Sequence, residues 1–358
     1  MFSYYDNFLI NLFFNSFIYV FFIISSLVLI LNVLTEIEFF KAYNVDYHLP
    51  IYMALLNTPA LIFDIFPFIF LISTQVFFVS LFNNNEIQIF KYSGLKNTSI
   101  LRIISAFTLV MGIFIITIFY STSSSLKNFY IKIKSNYTSE ENHLAVITKN
   151  GLWIKDIIND NVKIINASKI DNEFLLDVFI TEFDDNYDVL RNIKSEKVDT
   201  TYKEWIVYNS KIFENNEQIE SGDLKIISNF DYEKIQNLFS NLSSLSLLEL
   251  IELRKNYKQL NYSTTEVNIQ ILKISTYPIY FILMITFSAI IMLNTKKYKN
   301  NSLKIIIGLF FSVVIYYFFN FFYVLGNIEK ISLILSICVP LLILSMINFF
   351  LLHKFNEK

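Results

Sequence analysis

The residues able to do covalent chemistry in this chain are few and poorly spaced for it. The three histidines, His48, His143 and His353, lie too far apart to build an H-E-x-x-H zinc helix. None of the six glycines is followed by Lys, which removes the G-x-x-x-x-G-K-[ST] phosphate loop, and no G-x-S-x-G elbow occurs. The paired carboxylates Glu140-Glu141 and Asp184-Asp185 sit among turn-forming polar residues and read as solvated surface charge. Cys338 is the single cysteine, so no intramolecular disulfide forms. A net charge of −2 gives no reason to expect nucleic acid. The chain reads as a non-enzyme with no cofactor and no metal site.

One short stretch does assemble functional residue types, and its chemistry is recognition. It runs Asn83-Asn84-Asn85-Glu86-Ile87-Gln88-Ile89-Phe90-Lys91-Tyr92-Ser93-Gly94. Asn at the front suits an N-cap, Glu86 in the first turn suits the helix dipole, and Gly94 is placed to end the helix. Ile87 and Phe90 share one face at i, i+3. Exposed beside the Glu86 carboxylate, they form a docking element for a soluble partner. The alternative is an interfacial helix lying on lipid.

That stretch hangs between long apolar runs. A spanning helix needs about 20 mostly apolar residues, since each adds about 1.5 Å across roughly 30 Å of hydrocarbon. Six stretches qualify: Phe8–Leu34, Ala60–Phe82, Ile103–Tyr120, Tyr277–Leu293, Ile305–Leu325 and Ile331–Leu352. The first is too long for a secretory h-region, lacks a basic n-region and has no small-residue cleavage site, so it is expected to stay in the membrane. Orientation follows from Lys and Arg in the short loops. With the N-terminus in the cytoplasm, that side holds nine: Lys91, Lys96, Arg102, Lys296, Lys297, Lys299, Lys304, Lys354 and Lys358. The other side holds two, Lys41 and Lys330.

The polar middle, Ser121 to Lys273, therefore lies outside the cytoplasm. It carries 23 of the 31 acidic and 18 of the 29 basic residues, and both tryptophans. Between Ala145 and Ile227 it reads as short alternating runs, among them Leu152-Trp153-Ile154, Val162 to Ile165, Phe174 to Phe183 and Trp205 to Tyr208. Turns such as Asn159-Asp160-Asn161 and Asp184-Asp185-Asn186 separate them, as in an antiparallel sandwich or open barrel. Ser121–Ser135 reads as a helical extension of the third span, and Ser246–Leu260 as an amphipathic helix before the fourth. The expected architecture is an α-helical integral membrane protein, three plus three transmembrane helices, around a central extracytoplasmic all-β domain. The boundaries are 1–120, with the short helix at about 84–94, then 121–273 and 274–358.

The run Asn85-Glu86-Ile87 through Tyr92-Ser93-Gly94 resembles the S-E-L-x-x-x-x-A-S-G segment of the LptF/LptG permease family. Pro59 and Phe66-Pro67 resemble the paired prolines of that family's second span. Gly151-Leu152-Trp153-Ile154-Lys155-Asp156 resembles the G-L-W-x-[KR]-[DN] strand of the LptG branch, and Trp205-Ile206-Val207 its W-x-L strand. Leu272 to Pro278 resembles the approach to the fourth span. Order and spacing carry the resemblance over essentially the whole chain.

The resemblance implies a transmembrane subunit of an ABC transporter that exports lipopolysaccharide from the bacterial inner membrane. It implies an LptF-like sister permease, an LptB-like ATPase dimer, and an LptC-like bitopic subunit that starts a periplasmic bridge. Glu86, Ile87, Phe90 and Gly94 become the ATPase-coupling element. The β domain becomes a jellyroll whose oily interior shields acyl chains, with Trp153, Phe179 and Trp205 as lining positions; a closed structural core explains these three equally well. The first and fifth spans become lateral gates. One departure stands out: where family members carry a basic cluster after the first span, this chain has Lys41 alone to meet a lipid phosphate on the lipid path, opposed by Glu36 and Glu38. Two other readings are a receptor or scaffold with a periplasmic ligand-binding β domain, and a permease for a different amphiphile.

Among polar residues in the spans, Asp64 is expected at an interface, because a charge at a helix centre costs about 2.5–3.5 kcal/mol. Asn32, Gln75 and Asn320 are expected to hydrogen-bond between helices. Asn57 has no expected role, and Pro340 kinks or breaks the last span.

Overall fold

Backbone groups withdrawn from water must be satisfied within their own segment, so unbroken apolar runs fold as helices. In the computed structural model they do: α1 is Tyr4–Phe40 and α2 is His48–Asn83. The short α3, Glu86–Tyr92, follows, and then α4, Asn97–Phe114. A π-helical turn at Ile115–Tyr120 carries α4 without a break into α5, Ser121–Ser135. The structure describes residues 4–356 apart from 42, 44, 95, 136, 138–143, 149–150, 159–160, 172, 185–186, 215–216, 221, 233–234, 236–241, 260–262 and 294–300. Glu140, Glu141, His143, Asn159, Asp160, Asp185, Asn186, Lys296, Lys297, Lys299 and Lys358 lie outside the described residues.

Among the described residues nine strands follow: β1 Leu144–Thr148, β2 Gly151–Ile158, β3 Asn161–Asp171, β4 Phe174–Phe183, β5 Val189–Asp199, β6 Glu204–Tyr208, β7 Lys211–Glu214, β8 Glu217–Glu220 and β9 Leu224–Ile227. A 3₁₀ turn at Leu242–Ser244 leads to α6, Leu247–Gln259. Three long helices close the chain: α7 Thr265–Leu293, α8 Asn301–Asn327 and α9 Leu333–Asn356. Among the described residues, six helices are long and apolar enough to cross a membrane. The chain forms two compact units, Met1–Lys127 with Ile269–Lys358, and Asn128–Asn268.

In the helical unit, polar side chains tie helix to helix. Asn32 Nδ2 on α1 donates to the Ala54 carbonyl (2.9 Å) and to Thr58 Oγ1 (3.2 Å) on α2. Asn57 takes part as well, donating to Asn32 Oδ1 at 3.3 Å, a role its position before the apolar run had hidden. Gln75 Nε2 reaches the Lys304 carbonyl on α8 at 3.3 Å, and Asn348 Nδ2 on α9 reaches Leu283 O on α7 at 2.9 Å. Such bonds stabilise helix pairs where lipid offers no competing donor. Small residues permit the approach: a Cβ on Gly308 would lie 1.8 Å from Gln75 Nε2, and one on Gly112 would lie 3.0 Å from Pro278 Cα. Rings from α1, α2, the π turn and α7 fill the centre, with Phe66–Phe119 centroids 5.0 Å apart and Phe70–Phe281 4.7 Å apart. Pro59, Pro67 and Pro340 all sit inside continuous helices, so the last span is not broken at Pro340.

The second unit is one antiparallel sheet in the order β1-β2-β3-β4-β5-β6-β9, with β7 pairing β5 and β8. Its inward face holds Leu152, Ile154, Ile165, Val178, Ile180, Ile193, Val198 and Trp205, and Phe230, beyond the last strand, joins the same core. A single sheet encloses one core because it creases along a row. Between the pairs Ala167–Val178 and Lys169–Leu176 the ladder skips Ser168 and Asp177. Between Val178–Ser195 and Leu176–Lys197 it skips Asp177 and Glu196. The same register places Gly151 at one end of this row, and Asn209 and Gly222 at the other, where β6 gives way to β7 and β8 to β9. Gly151, Asp177 and Asn209 all have positive φ, 118°, 51° and 47°. Inward positions shift by one across the row, from Ala167 to Ile170 and from Val178 to Leu175, so the apolar face stays inside as the strands bend.

α6 opens with a capping box. Ser246 N and Oγ donate to Glu249 Oε2 at 2.7 and 2.8 Å, satisfying donors that a helix start leaves free. Leu250 and Tyr257 supply its buried face.

Candidate functional site

α3 is positioned by a two-residue turn from α2. Asn85 adopts φ 56°, and its carbonyl accepts from Gln88 N and Ile89 N at 3.1 and 3.3 Å. Asn84 Nδ2 donates to Glu86 Oε1 at 3.4 Å, so the front Asn is used on the carboxylate. Glu86 Oε2 is buried and has no hydrogen-bond partner among the described residues. Ser93 N returns to the Ile89 carbonyl at 3.0 Å, and Gly94 follows with φ 81°. A Cβ on Gly94 would meet nothing within 4 Å, so conformation rather than space calls for glycine.

The expected docking pair on this helix is corrected. Ile87 is only 4% exposed, and Phe90 is half-buried with its ring 6.1 Å from that of Phe8 on α1. An i, i+3 apolar face packs onto the chain's own helices when they are within reach. The outward residues are Gln88, Ile89 (58% exposed) and Tyr92 (90% exposed).

A second constellation lies among α2, α7, α8 and α9. Lys273 Nζ on α7 donates to Asp64 Oδ1 on α2 at 3.1 Å. Asp64 is therefore half of an ion pair, rather than a lone interfacial carboxylate. The Lys273 ammonium also stands 5.4 Å from the Tyr323 ring centroid and 5.9 Å from that of Tyr277. The pair opens into a cavity of about 160 Å³ that Tyr280, Tyr316, Asn320 and Tyr323 also line. Asn320, expected to bond between helices, has no hydrogen bond among the described residues; it faces this cavity.

The three sheet positions separate. Trp205 is fully buried in the core, its Nε1 donating to the Phe230 carbonyl at 2.7 Å. Trp153 and Phe179 flank Asn166 on the opposite face of the sheet and are each 42% exposed. The expectation that all three share one interior fails, because strand alternation puts odd-numbered Trp153 and even-numbered core Leu152 and Ile154 on opposite sides. Asp156, in the same strand, is buried and accepts from Ser228 Oγ (2.8 Å), Asn229 N (2.9 Å) and Asn229 Nδ2 (2.9 Å).

Comparison with known families assigns this frame to a family. The family described as lipopolysaccharide export system permease LptF/LptG matches residues 7–354. The chain belongs to the LptF/LptG family. No curated protein sequence matches it significantly. As a multi-pass LptF/LptG permease component it has the six-helix frame and the central antiparallel sheet expected of it.

Within this LptF/LptG chain, Lys41 follows α1 on an exposed turn, while Glu36 is buried within the helix. Among the described residues, no hydrogen bond or ion pair joins Lys41 to Glu86 or Lys273. Sequence reasoning missed Lys273 and the tyrosines around it. The available signal was a second charge, of opposite sign, beside a different span from Asp64. It also missed Asp156 as a structural hub, although the residue closes the Gly151-Leu152-Trp153-Ile154-Lys155-Asp156 strand.

Proposed function

We propose that this chain is one of two transmembrane subunits of an ATP-binding-cassette exporter that withdraws lipopolysaccharide from the bacterial inner membrane. The observation that carries the reading is the family match over residues 7–354 on a three-plus-three frame. Both termini lie in the cytoplasm and the sheet unit in the periplasm, as the nine-to-two Lys/Arg asymmetry of the short loops supports. The sister subunit is LptF-like; the Gly151-Leu152-Trp153 strand inclines this chain to the LptG side.

ATP is hydrolysed by a separate LptB-like dimer, since this chain lacks a phosphate loop. That dimer seats α3, contacting Glu86, Ile89 and Tyr92; the outward exposure of Ile89 and Tyr92 supports this. On the periplasmic side the cargo passes to an LptC-like jellyroll and bridge. Each acyl CH₂ exposed to water costs about 0.8 kcal/mol, and the half-exposed rings of Trp153 and Phe179 on the open face of the sheet are the apolar surface available to offset that cost. Lys41 is the cation nearest the cargo phosphates as they leave the first span. Gentle detergent extraction of tagged chain tests the assembly. Recovery of both a sister permease and a cassette ATPase is expected; recovery of neither defeats the proposal.

A further inference from the structure

The inward face of the sheet unit changes character along its length. Leu152, Ile154, Ile165, Ile180, Ile193 and Trp205 are each no more than 1% exposed, so no water-sized space touches them. The next row on the same face is charged. Register sets Asp156 opposite Lys163, Lys163 opposite Glu182 and Glu182 opposite Arg191. Each stands two residues from Ile154, Ile165, Ile180 or Ile193 in its own strand, so alternation turns all four inward. Glu182 accepts from Arg191 Nε at 2.6 Å and pairs with Lys163 Nζ at 3.4 Å. Packing alone does not call for charges here, since apolar side chains of similar volume often replace a buried ion pair without loss of stability.

Two members of this row reach beyond it. Among the described residues β9 shares a backbone ladder with β6 alone. Lys163 Nζ crosses from β3 to the last carbonyl of β9, Ile227 O, at 3.1 Å. Asp156 on β2 accepts from the next two residues, from Ser228 Oγ at 2.8 Å and from Asn229 N and Nδ2 at 2.9 Å each. Asn229 Nδ2 also donates to the Ile157 carbonyl at 3.0 Å. The stretch from Ile227 to Asn229 is thus fastened to β2 and β3 through side chains, across a seam that no ladder bridges. Proteins open locally along their least protected boundaries, and side-chain bonds hold a boundary less firmly than a continuous ladder.

We propose that Asp156 and Lys163 form a clasp that shuts the interior of the sheet unit, and that the unit opens by parting β9 from β2 and β3 at this row. The clasp goes beyond the cargo route proposed above and stands without it. It keeps the filled apolar interior closed to outside molecules, and its release exposes the Ile154, Ile165, Ile180 and Ile193 row first. Arg191 supplies the contrast. It pairs with Glu182 within the β4–β5 ladder and spans no seam.

The test is maleimide labelling of the full chain in detergent, in a Cys338→Ser background. Phe179→Cys faces outward and should label fast, whereas Ile180→Cys, its neighbour on the inward face, should label at least about a hundredfold more slowly. Val178→Cys, a smaller change on the same inward face, repeats the readout. Lys163→Met and Asp156→Asn should each raise inward labelling about tenfold, as expected for one lost charge-assisted bond, with hydrogen exchange in the β4–β5 ladder unchanged. Arg191→Met should leave inward labelling as it was. An equal rise in all three variants overturns the proposal, because the seam then matters no more than the rest of the row. So does unchanged labelling in Lys163→Met and Asp156→Asn, or a rise matched by faster exchange throughout the unit, which makes the pair a plain stability contact.

Discussion

Gly151 meets the carbonyl oxygen of Ala167 so closely that a Cβ at that position would lie 2.3 Å from it. With φ 118° as well, the residue is excluded from side chains on two counts. Gly151 stands at the end of the crease that lets one sheet close over one core, so Gly151→Ala should weaken the sheet unit by about 2 kcal/mol or more. Hydrogen exchange on the full chain should show faster opening of β2 and β3 with the helices unaffected.

Asp156 gathers Ser228 and Asn229 onto its carboxylate from across the sheet unit. Removing the acceptor strands three buried or half-buried donors at once. Asp156→Ala should destabilise the unit by about 3 kcal/mol. Limited proteolysis is the measurement, and cleavage after Tyr208 or within 224–230 should appear first.

Gly308 passes Gln75 at a distance no side chain allows. Gly308→Leu should push α8 off α2 and break the Gln75 bond to the Lys304 carbonyl. A loss of about 10 °C in detergent melting temperature is expected, from overpacking of about 1–3 kcal/mol together with the lost bond. Gly222→Ala, with open space around it, serves as the control and should melt normally.

Glu86 and Ile89 separate docking from packing on α3. Glu86→Ala and Ile89→Asp should each reduce ATPase recovery at least about tenfold, since a buried charged contact is worth about 2–5 kcal/mol. Ile87→Ala should instead lower chain stability, because Ile87 is buried within the chain itself. Co-purification yields and melting curves of the three variants distinguish these outcomes.

What the sequence disclosed follows from the range of each signal. The spans were legible because hydrocarbon selects on composition, and Asn32 and Gln75 because a polar amide in a span needs a partner. α3 was legible from Asn85, Glu86 and Gly94, which act locally. Its facing was not, since Ile87 and Phe90 pack on helices whose position no local pattern encodes. The same limit hid the Lys273–Asp64 pair, whose members stand 209 residues apart. The strands around Trp153 and Trp205 were visible from alternation. Their sides were not, because the parity of alternation assigns two faces without saying which is inward, and the crease then shifts parity midway along β3, β4 and β5.

The most direct measurement is reconstitution of this chain with its sister permease and ATPase in proteoliposomes that hold labelled lipopolysaccharide. ATP addition should release the label to an added periplasmic acceptor, and Glu86→Ala should stop release while lipid binding persists. ATP hydrolysis by a complete assembly with the label still in the bilayer, under conditions where another amphiphile moves, would contradict the assignment of lipopolysaccharide as cargo.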